Sequence, residues 1–362
     1  MFDALASLFR RGGSSLSVPI LDGALKPNNL LEQAPVFAEN PDLEDIALGP
    51  DGEIYAACGF VVARVSENGE LVPVSAFDGA VTALTFLSDG SLAVALGNRL
   101  IIDAGTPQSR TIDMVDGKPL MAVNALHAQA DGSLLICDGS QQRPYPDWSR
   151  DLMEKGASGR LLRFDRASGT TAVLAAGLGY AFGALVDGQG RTLVSESWRH
   201  QVSAVTDRRT TPAIAALPGY PARMAPAPGG GLWLSLFACR TQLVEFVLRE
   251  SDYRREMLRT IDPKYWVAPA LSSGEDFLEP LQGGSVKQMG ILKPWAPPRS
   301  YGLVVLFNAD FIPVLSLHSR TGGRHHGVVA VVQRNDDLFV LSKGAGRILR
   351  LSLSQVAAEG AQ

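Results

Sequence analysis

Two acidic residues open an otherwise apolar segment, "EDIALGPDGEIYAAC", which covers Glu44–Cys58. The segment is typical of two short strands joined by a Pro-Asp-Gly turn, with Glu44 and Asp45 at the start of the first strand. A carboxylate in a buried strand needs a cation, a network of hydrogen-bond donors or a proton of its own. Glu44 is therefore a candidate catalytic residue, and the alternative is a rim carboxylate paired with Arg223 or another cation.

Further side chains that could do chemistry lie near the ends of predicted strands. His325 and His326, in "RTGGRHHGVV", are candidate general bases, and the alternative is a solvent-exposed polar loop. Arg223 is a candidate partner for the acidic pair or for a substrate carboxylate or phosphate. Glu196 is a candidate substrate contact, or a carboxylate that caps a turn or forms a salt bridge.

Aromatic residues are concentrated in two long insertions of the chain, at Tyr145, Trp148, Trp266 and Trp295. Such residues can form the wall of an apolar pocket, and core packing accounts for them equally well. We expect Trp148 and Trp295 to contact a substrate.

A tight turn between two apolar runs occurs six times and indicates the elements that position these residues. The copies are "GPDGEIYAA", "LSDGSLAVA", "QADGSLLIC", "DGQGRTLVS", "APGGGLWLS" and "QRNDDLFVL". A third strand follows each copy, and a fourth follows five of them. Four antiparallel strands repeated six times predict an all-β fold, a six-bladed β-propeller. The sixth copy lacks its fourth strand, and "APVFAEN" at Ala34 is predicted to supply it, so that an N-terminal strand closes the ring.

The first strand of each blade lines the central channel of a propeller. Counting back eight residues from the second turn position gives one equivalent residue in each blade: Glu44, Thr82, Asn124, Phe182, Ala222 and Val329. We expect these six positions, here called the ring, to surround one mouth of the channel. Thr82, Asn124 and Phe182 are candidate substrate contacts, together with Arg223.

The sequence divides into an N-terminal extension at 1–26 and a propeller at 27–362. Two long connections, at about 140–158 and 238–300, are predicted to lie over the mouth of the channel. The second begins with apolar residues at helical spacing, which predicts a helical lid in blade five. The alternative is a structural cap or a dimer surface.

Composition excludes several classes of protein. Lys and Arg number 33 against 37 Asp and Glu, so the chain has no excess of basic residues and nucleic acid is not an expected partner. The three cysteines lack metal-binding spacing and fit a reducing compartment, so we expect a cytoplasmic protein. No apolar run is long enough to cross a membrane. Residues 1–11 could form a short amphipathic helix that contacts a membrane surface or a partner weakly, or a frayed terminus.

The repeated segments resemble a known family. "EDIALGPDGEIY", "NALHAQADGSLLICD", "GRLLRFDRASGTTAVLAAGL" and "GLVVLFNADFIPVLSLHS" are similar to the strictosidine-synthase-like propellers, which include the adipocyte plasma-membrane-associated proteins. Gluconolactonases, paraoxonases and senescence-marker lactonases are more distant relatives. The resemblance extends over roughly residues 27–354.

The resemblance implies a metal site, and this sequence matches it only in part. Lactonase and paraoxonase members hold a divalent cation, usually Ca²⁺, with a Glu of blade one and Asn or Asp residues of the ring. Glu44 and Asn124 match these ligands, whereas Phe182 and Ala222 do not. The acid/base Glu of strictosidine synthase corresponds to Val329, which cannot transfer a proton.

The expected function is that of a small-molecule enzyme, an ester or lactone hydrolase with Glu44, Asn124 and Arg223 at the channel mouth. His325 or His326 would assist. One alternative is a propeller without catalytic activity that binds a hydrophobic metabolite or a protein partner. Another is an enzyme that condenses an amine with an aldehyde through a different carboxylate, such as Glu196.

Overall fold

A computed structural model describes residues 18–280, 286–288, 291–293 and 299–360. Residues 1–11 and Trp295 lie outside these ranges, so the expectations that concern them stay predictions, as does the boundary at residue 26. The described residues form six four-stranded antiparallel sheets arranged as blades. The predicted six-bladed propeller is confirmed.

Each blade runs from the channel outwards, and the first three blades use strands that are consecutive in sequence. The strands of blade one are Leu43–Leu48, Ile54–Cys58, Val61–Val65 and Leu71–Ala76. Those of blade two are Ala83–Phe86, Leu92–Ala95, Leu100–Ile102 and Arg110–Ile112. Those of blade three are Val123–Ala128, Leu134–Asp138, Gly159–Asp165 and Thr170–Leu178.

Blade four also uses consecutive strands, whereas a long insertion interrupts blade five and a strand from the start of the chain completes blade six. The strands of blade four are Ala181–Val186, Thr192–Glu196, Gln201–Thr206 and Arg209–Ile214. Those of blade five are Gly219–Pro226, Leu232–Cys239, Gly302–Phe307 and Pro313–Ser319. Those of blade six are Val328–Arg334, Asp337–Ser342, Arg347–Ser352 and, from the start of the chain, Val36–Glu39.

The closure of the ring follows from the pairing of Val36–Glu39 with Arg347–Ser352. Ala38 lies opposite Ile348 in this antiparallel pair, and both side chains are buried. The N-terminal strand therefore removes the sheet edge that the last strand would otherwise expose. This confirms the closing strand that "APVFAEN" predicted.

The Asp-Gly turns adopt a backbone conformation that favours glycine. Gly52, Gly90 and Gly132 have φ values of 79°, 84° and 81°. A side chain would be strained in this region, whereas glycine enters it readily. The repeated turn signal in the sequence therefore has a conformational cause.

Helices are few and short. They span Leu30–Gln33, Trp148–Met153, Gln242–Val247, Ser251–Thr260 and Leu353–Gly360. Short 3₁₀ segments span Gly23–Leu25, Tyr145–Asp147, Ser197–Arg199, Pro228–Gly230, Pro263–Tyr265 and Lys343–Ala345. Two small hairpins pair Met114–Val115 with Lys118–Pro119, and Val286–Gln288 with Ile291–Lys293. None of the described helices is long and apolar enough to cross a membrane.

The predicted lid in blade five is confirmed as a helical insertion. Its first helix, Gln242–Val247, begins at Thr241, whose hydroxyl accepts a hydrogen bond from the Val244 N–H at 3.2 Å. Glu245 on this helix lies 3.0 Å from Arg240 and 3.3 Å from His200 of blade four. A buried ion pair thus attaches the lid to the propeller.

Candidate active site at the channel mouth

Five of the six ring residues lie at irregularities of the innermost strands. The register between the first and second strands shifts across Leu43/Asp45, Val123/Ala125, Ala181/Gly183, Pro221/Met224 and Val328/Ala330. These shifts skip the ring residues of blades one, three, four, five and six. In blade two, the strand begins one residue after Thr82. A bulge bends a strand and redirects the side chain of the extra residue. The side chains at these ring positions therefore do not follow the regular alternation of the strand.

Glu44 belongs to a polar group at the channel mouth that also contains Tyr145 and Lys343, here called the Glu44 cluster. The Glu44 carboxylate accepts hydrogen bonds from the Tyr145 hydroxyl and from the Lys343 ammonium. Lys343 Nζ also donates to the Tyr145 hydroxyl at 3.0 Å. Burial lowers the pKa of Lys343, although the Glu44 charge opposes this. Burial and the Glu44 charge hold the pKa of Tyr145 well above its usual value.

An aromatic cavity adjoins the Glu44 cluster. It is narrow, with a volume of about 10 Å³ for the centre of a water-sized sphere, and it is lined by Tyr145, Trp148, Tyr180, Phe182, Trp198, Phe237, Leu271, Val329 and Lys343. The walls support one another, because Trp148 packs edge-on against Phe237 with ring centres 5.4 Å apart. Tyr180 and Trp198 lie closer, at 4.5 Å. Trp148 and Phe182 thus lie where a substrate contact was expected.

Tyr180 lines this cavity, and the side chain of Asn124 lies next to it. Asn124 is fully buried, and neither atom of its side-chain amide has a hydrogen-bond partner among the described residues. The Tyr180 hydroxyl also lacks a partner with full hydrogen-bond geometry, although burial raises its pKa and an interaction with the Asn124 side chain opposes that rise. Buried polar groups in native proteins are nearly always hydrogen-bonded, so unpartnered ones need a specific explanation. Asn124 and Tyr180 partly satisfy each other, and the hydrogen-bonding capacity that remains is available to a bound molecule.

Arg223 lies on the axis, between the aromatic cavity and the rest of the channel. Its guanidinium is 5.3 Å from the centre of the Phe182 ring, which lines the cavity. Its Nε lies 3.2 Å from the Asp45 carboxylate, an ion pair without the geometry of a hydrogen bond. Its terminal nitrogens donate to the backbone carbonyls of Glu44 at 3.2 Å, Thr82 at 2.8 Å and Asn124 at 2.6 Å. The expected pairing of Arg223 with the acidic pair is therefore made through Asp45.

Two predicted substrate contacts have their polar groups occupied by the protein itself. The Thr82 hydroxyl donates to the Val123 carbonyl at 2.6 Å and accepts from the Gly97 N–H at 2.9 Å. The Glu196 carboxylate is fully buried and accepts from Gly179, Arg199, Gln201 and Ser203. Both residues join strands of the propeller, and their role in substrate binding stays a prediction.

The two histidines lie in a different group of residues. His326 bonds to the Ser300 hydroxyl at 2.6 Å and to the Arg320 carbonyl at 2.9 Å. The His325 N–H donates to Ser319, and both imidazoles are buried. The alternative of a solvent-exposed loop is therefore wrong for these side chains, and burial lowers both pKa values. Neither histidine lines the aromatic cavity, so their catalytic role stays a prediction.

The ring does not fit the metal that the family resemblance implies. Calcium takes six to eight oxygen ligands. Here the Glu44 carboxylate is bound to an ammonium group, and a guanidinium occupies the ring carbonyls. Within the described ranges, no cluster of three or more His, Cys, Asp or Glu side chains could hold a metal ion. Glu44 and Asn124 alone do not form a calcium site.

Lys343 was not identified by sequence reasoning, although a signal was present. It directly follows the second strand of blade six, in "VLSKGAG". The connection after a second strand lies at the same mouth as the ring, so a lysine there is placed to meet Glu44. Tyr145 was considered only as a wall of the pocket, because nothing in the sequence showed that its hydroxyl reaches Glu44.

These features define a six-bladed propeller with a small aromatic cavity and a proton-carrying cluster at one mouth of its channel. The chain is similar in sequence to adipocyte plasma membrane-associated proteins and to strictosidine synthase-like proteins. It is 25% identical over 343 residues to the adipocyte plasma membrane-associated protein of Rattus norvegicus, covering 83% of this chain and 90% of the relative. It is 28% identical over 148 residues to the protein strictosidine synthase-like 13 of Arabidopsis thaliana, covering 40% and 36%.

Several solved structures have a similar fold. A gluconolactonase from Xanthomonas campestris superposes with a TM-score of 0.55 at 14% identity, covering 88% of each chain. This likeness shows the fold. No family model matches the chain.

Proposed function

We propose that the protein is a small-molecule hydrolase that cleaves an ester or a lactone in the aromatic cavity. The observation that carries this proposal is the Glu44 cluster, a carboxylate, a phenol and an amine in mutual contact beside an apolar cavity. Acyl transfer to water needs a base for the water and donors for the developing oxyanion, and the cluster contains both.

The chemistry assigns one role to each member of the cluster. Glu44 takes a proton from water, and the water oxygen attacks the acyl carbon of the substrate. Lys343 and Tyr145 donate hydrogen bonds to the oxygen that becomes negatively charged. The alcohol oxygen then leaves with a proton returned from Glu44, so the products are a carboxylic acid and an alcohol, or a hydroxy acid from a lactone. A largely buried site strengthens each of these interactions.

The cavity indicates the kind of substrate. Its aromatic walls favour an apolar body, and the narrow space between them, about 10 Å³ for the centre of a water-sized sphere, restricts the group that enters to a small one. Tyr180, which lines the cavity, would recognise a polar group at one end of the substrate, with the Asn124 side chain beside it. Homology to strictosidine synthase-like proteins and the gluconolactonase-type fold support an enzyme of this kind at the family level.

The reaction would proceed without a metal, because cations of the chain already occupy the groups that would bind one. The reaction would also differ from the condensation of an amine with an aldehyde, in which a Glu of blade six acts as the acid/base. Val329 is buried at that position and lines the cavity. Glu196, the other carboxylate considered for condensation, already accepts hydrogen bonds from four residues.

The test is a screen of small esters and lactones with the wild type and Glu44→Gln, with and without a chelator. For a substrate that is turned over, we expect kcat to fall by about 10²-fold or more in Glu44→Gln, as for loss of a general base. The chelator should have no effect. Glu70→Gln, an exposed carboxylate of the same blade, is the matched control and should keep wild-type turnover. Unchanged turnover in a folded Glu44→Gln would remove Glu44 from the mechanism.

A second candidate is a binding protein for a hydrophobic metabolite. The aromatic walls and the apolar ring residues Phe182, Ala222 and Val329 favour it. Native mass spectrometry of the purified protein distinguishes the two proposals. A ligand that co-purifies with the wild type and is lost in Trp148→Ala, together with no turnover in the screen, would support binding alone.

A further inference from the structure

We propose that the guanidinium of Arg223 is a built-in cation that closes the propeller axis and fixes the ring, at the place where the family resemblance implies a metal ion. In this role Arg223 is a positioning residue for Glu44. The inference rests on the contacts of Arg223 and does not depend on hydrolytic activity.

The bulges of the inner strands explain why a cation is needed there. A bulge interrupts the ladder of hydrogen bonds between strands and leaves a residue unpaired. The skipped residues of blades one and three are Glu44 and Asn124, and Thr82 precedes the first strand of blade two. Their three carbonyl oxygens all accept hydrogen bonds from Arg223. A buried carbonyl without a donor is costly, so one side chain satisfies three blades together.

The guanidinium suits this position in shape and charge. It is planar, remains protonated in proteins and presents five N–H donors in a fixed fork. Arg223 reaches the ring from blade five, and its contacts with the three carbonyls are 2.6–3.2 Å long. These are distances of N–H···O hydrogen bonds. Asp45 supplies the counter-charge at 3.2 Å and is itself held by the N–H groups of Ile46 and Leu84.

A consequence for Glu44 follows from the same contacts. The carboxylate of Glu44 belongs to the cluster at the mouth, while its carbonyl is bound to Arg223 on the axis. The guanidinium of Arg223 therefore holds the backbone bulge that sets the direction of the Glu44 side chain. Removing the guanidinium should leave a site with three carbonyls and a carboxylate that a small cation could enter.

Thermal melts of the wild type and Arg223→Ala test the proposal directly. We expect the wild type to show no change in Tm with about 10 mM calcium, enough to saturate even a weak protein site. Arg223→Ala should melt roughly 5 °C lower or more, because several buried groups lose their partner. About 20 mM guanidinium chloride, far below denaturing concentrations, should raise its Tm relative to an equal concentration of sodium chloride.

A second arginine provides the matched control. Arg160 is also buried, pairs with Asp138 at 2.7 Å and donates to two backbone carbonyls, but away from the axis. Arg160→Ala should likewise lower Tm. If the protein turns over a substrate, kcat should fall at least about tenfold in Arg223→Ala and recover with guanidinium, because the geometry of Glu44 is restored. Arg160→Ala should keep the wild-type kcat.

Two further variants apply if Arg223→Ala does not fold. Arg223→Lys keeps the charge with a single nitrogen and should melt between the wild type and Arg223→Met, which keeps only the length of the chain. The proposal is overturned if Arg223→Met melts like the wild type, or if guanidinium leaves a folded Arg223→Ala unchanged. It is equally overturned if calcium raises the Tm of the wild type and Glu44→Gln abolishes that rise.

Discussion

Glu44 and Asp45 are neighbours on one strand and lie in opposite environments. The Glu44 side chain keeps 17% of its surface exposed and meets a lysine and a tyrosine at the mouth of the channel. The Asp45 side chain is only 3% exposed and meets Arg223 on the axis. The Glu44 carboxylate is partly exposed beside the cavity, whereas the Asp45 carboxylate is buried in the propeller.

The difference shows how a single bulge separates two roles. In a regular strand, neighbouring side chains point to opposite faces of the sheet. The register shift across Leu43/Asp45 gives Glu44 its own direction and leaves Asp45 to begin the regular ladder. We therefore expect the accessible carboxylate to be important for activity and the enclosed one for stability.

Alanine substitutions should give the largest difference between the two residues in their contribution to the free energy of unfolding. Asp45→Ala leaves Arg223 buried without its counter-ion, and breaking a buried pair in this way costs about 3–5 kcal/mol. Glu44→Ala removes a partly exposed contact at the rim and should cost about 1 kcal/mol. Chemical denaturation of both variants measures the difference.

Asp45→Asn serves as the control for size, since it keeps the volume and the acceptor oxygen but removes the charge. It should lose less stability than Asp45→Ala. Equal losses for Glu44→Ala and Asp45→Ala would show that the bulge does not divide the residues into two roles.

Much of this arrangement could be predicted from the sequence. The repeated turns indicated the number and order of the blades, since five of them carry a glycine with positive φ and the sixth carries Asn335 in the same conformation. The same turns set the register, so counting from them located Glu44 and Asn124 at their bulges. A local turn pattern that is repeated six times is therefore sufficient to predict the propeller fold.

The partners of these residues could not be predicted in the same way. Lys343 is 299 residues from Glu44 in sequence, and Arg223 is 179 residues away. Whether Glu44 pairs with Arg223 or Lys343 depends on how its neighbours Asp45 and Tyr145 are placed in the folded ring, which no local sequence pattern shows. Likewise, the expectation that His325 or His326 assists at the mouth was based on their loop alone, and the structure shows both buried in another group of residues.

An effect of intermediate size should appear in the dependence of stability on pH. Burial raises the pKa of Asp45 from 3.8 to about 6, although Arg223 opposes the shift. The folded protein then binds this proton more tightly than the unfolded chain. The free energy of unfolding contributed by Asp45 should therefore fall as pH rises from about 4 to about 6, by roughly 2–3 kcal/mol.

Denaturation of the wild type and Asp45→Asn across this pH range isolates the contribution of Asp45, since the variant lacks the titrating group. The difference in unfolding free energy between the two proteins should change between these pH values and stay constant above about pH 7. A difference that is constant throughout would mean that Arg223 holds Asp45 ionised at all of these pH values.

The smallest loss of stability should come from the lid, whose buried carboxylate Glu245 can be compared with Glu44 and Asp45. Burial by itself would raise the pKa of Glu245, but hydrogen bonds from His200 and Arg240 lower it to about 2. A lowered pKa gives stability that is present above the unfolded value of 4.5 and is lost as pH falls towards 2. Glu245→Gln should cost about 1–2 kcal/mol at neutral pH, because charge-assisted hydrogen bonds are replaced by neutral ones.

Hydrogen exchange shows where this loss is felt. Amides of the lid helices Gln242–Val247 and Ser251–Thr260 should exchange faster in Glu245→Gln, while those of the inner strand Leu43–Leu48 should keep wild-type protection. Such a local response would separate Glu245, which attaches an insertion, from Asp45, which stabilises the axis of the whole ring. If both regions lost protection equally, the lid and the propeller would unfold as one unit, and the two carboxylates would have the same structural role.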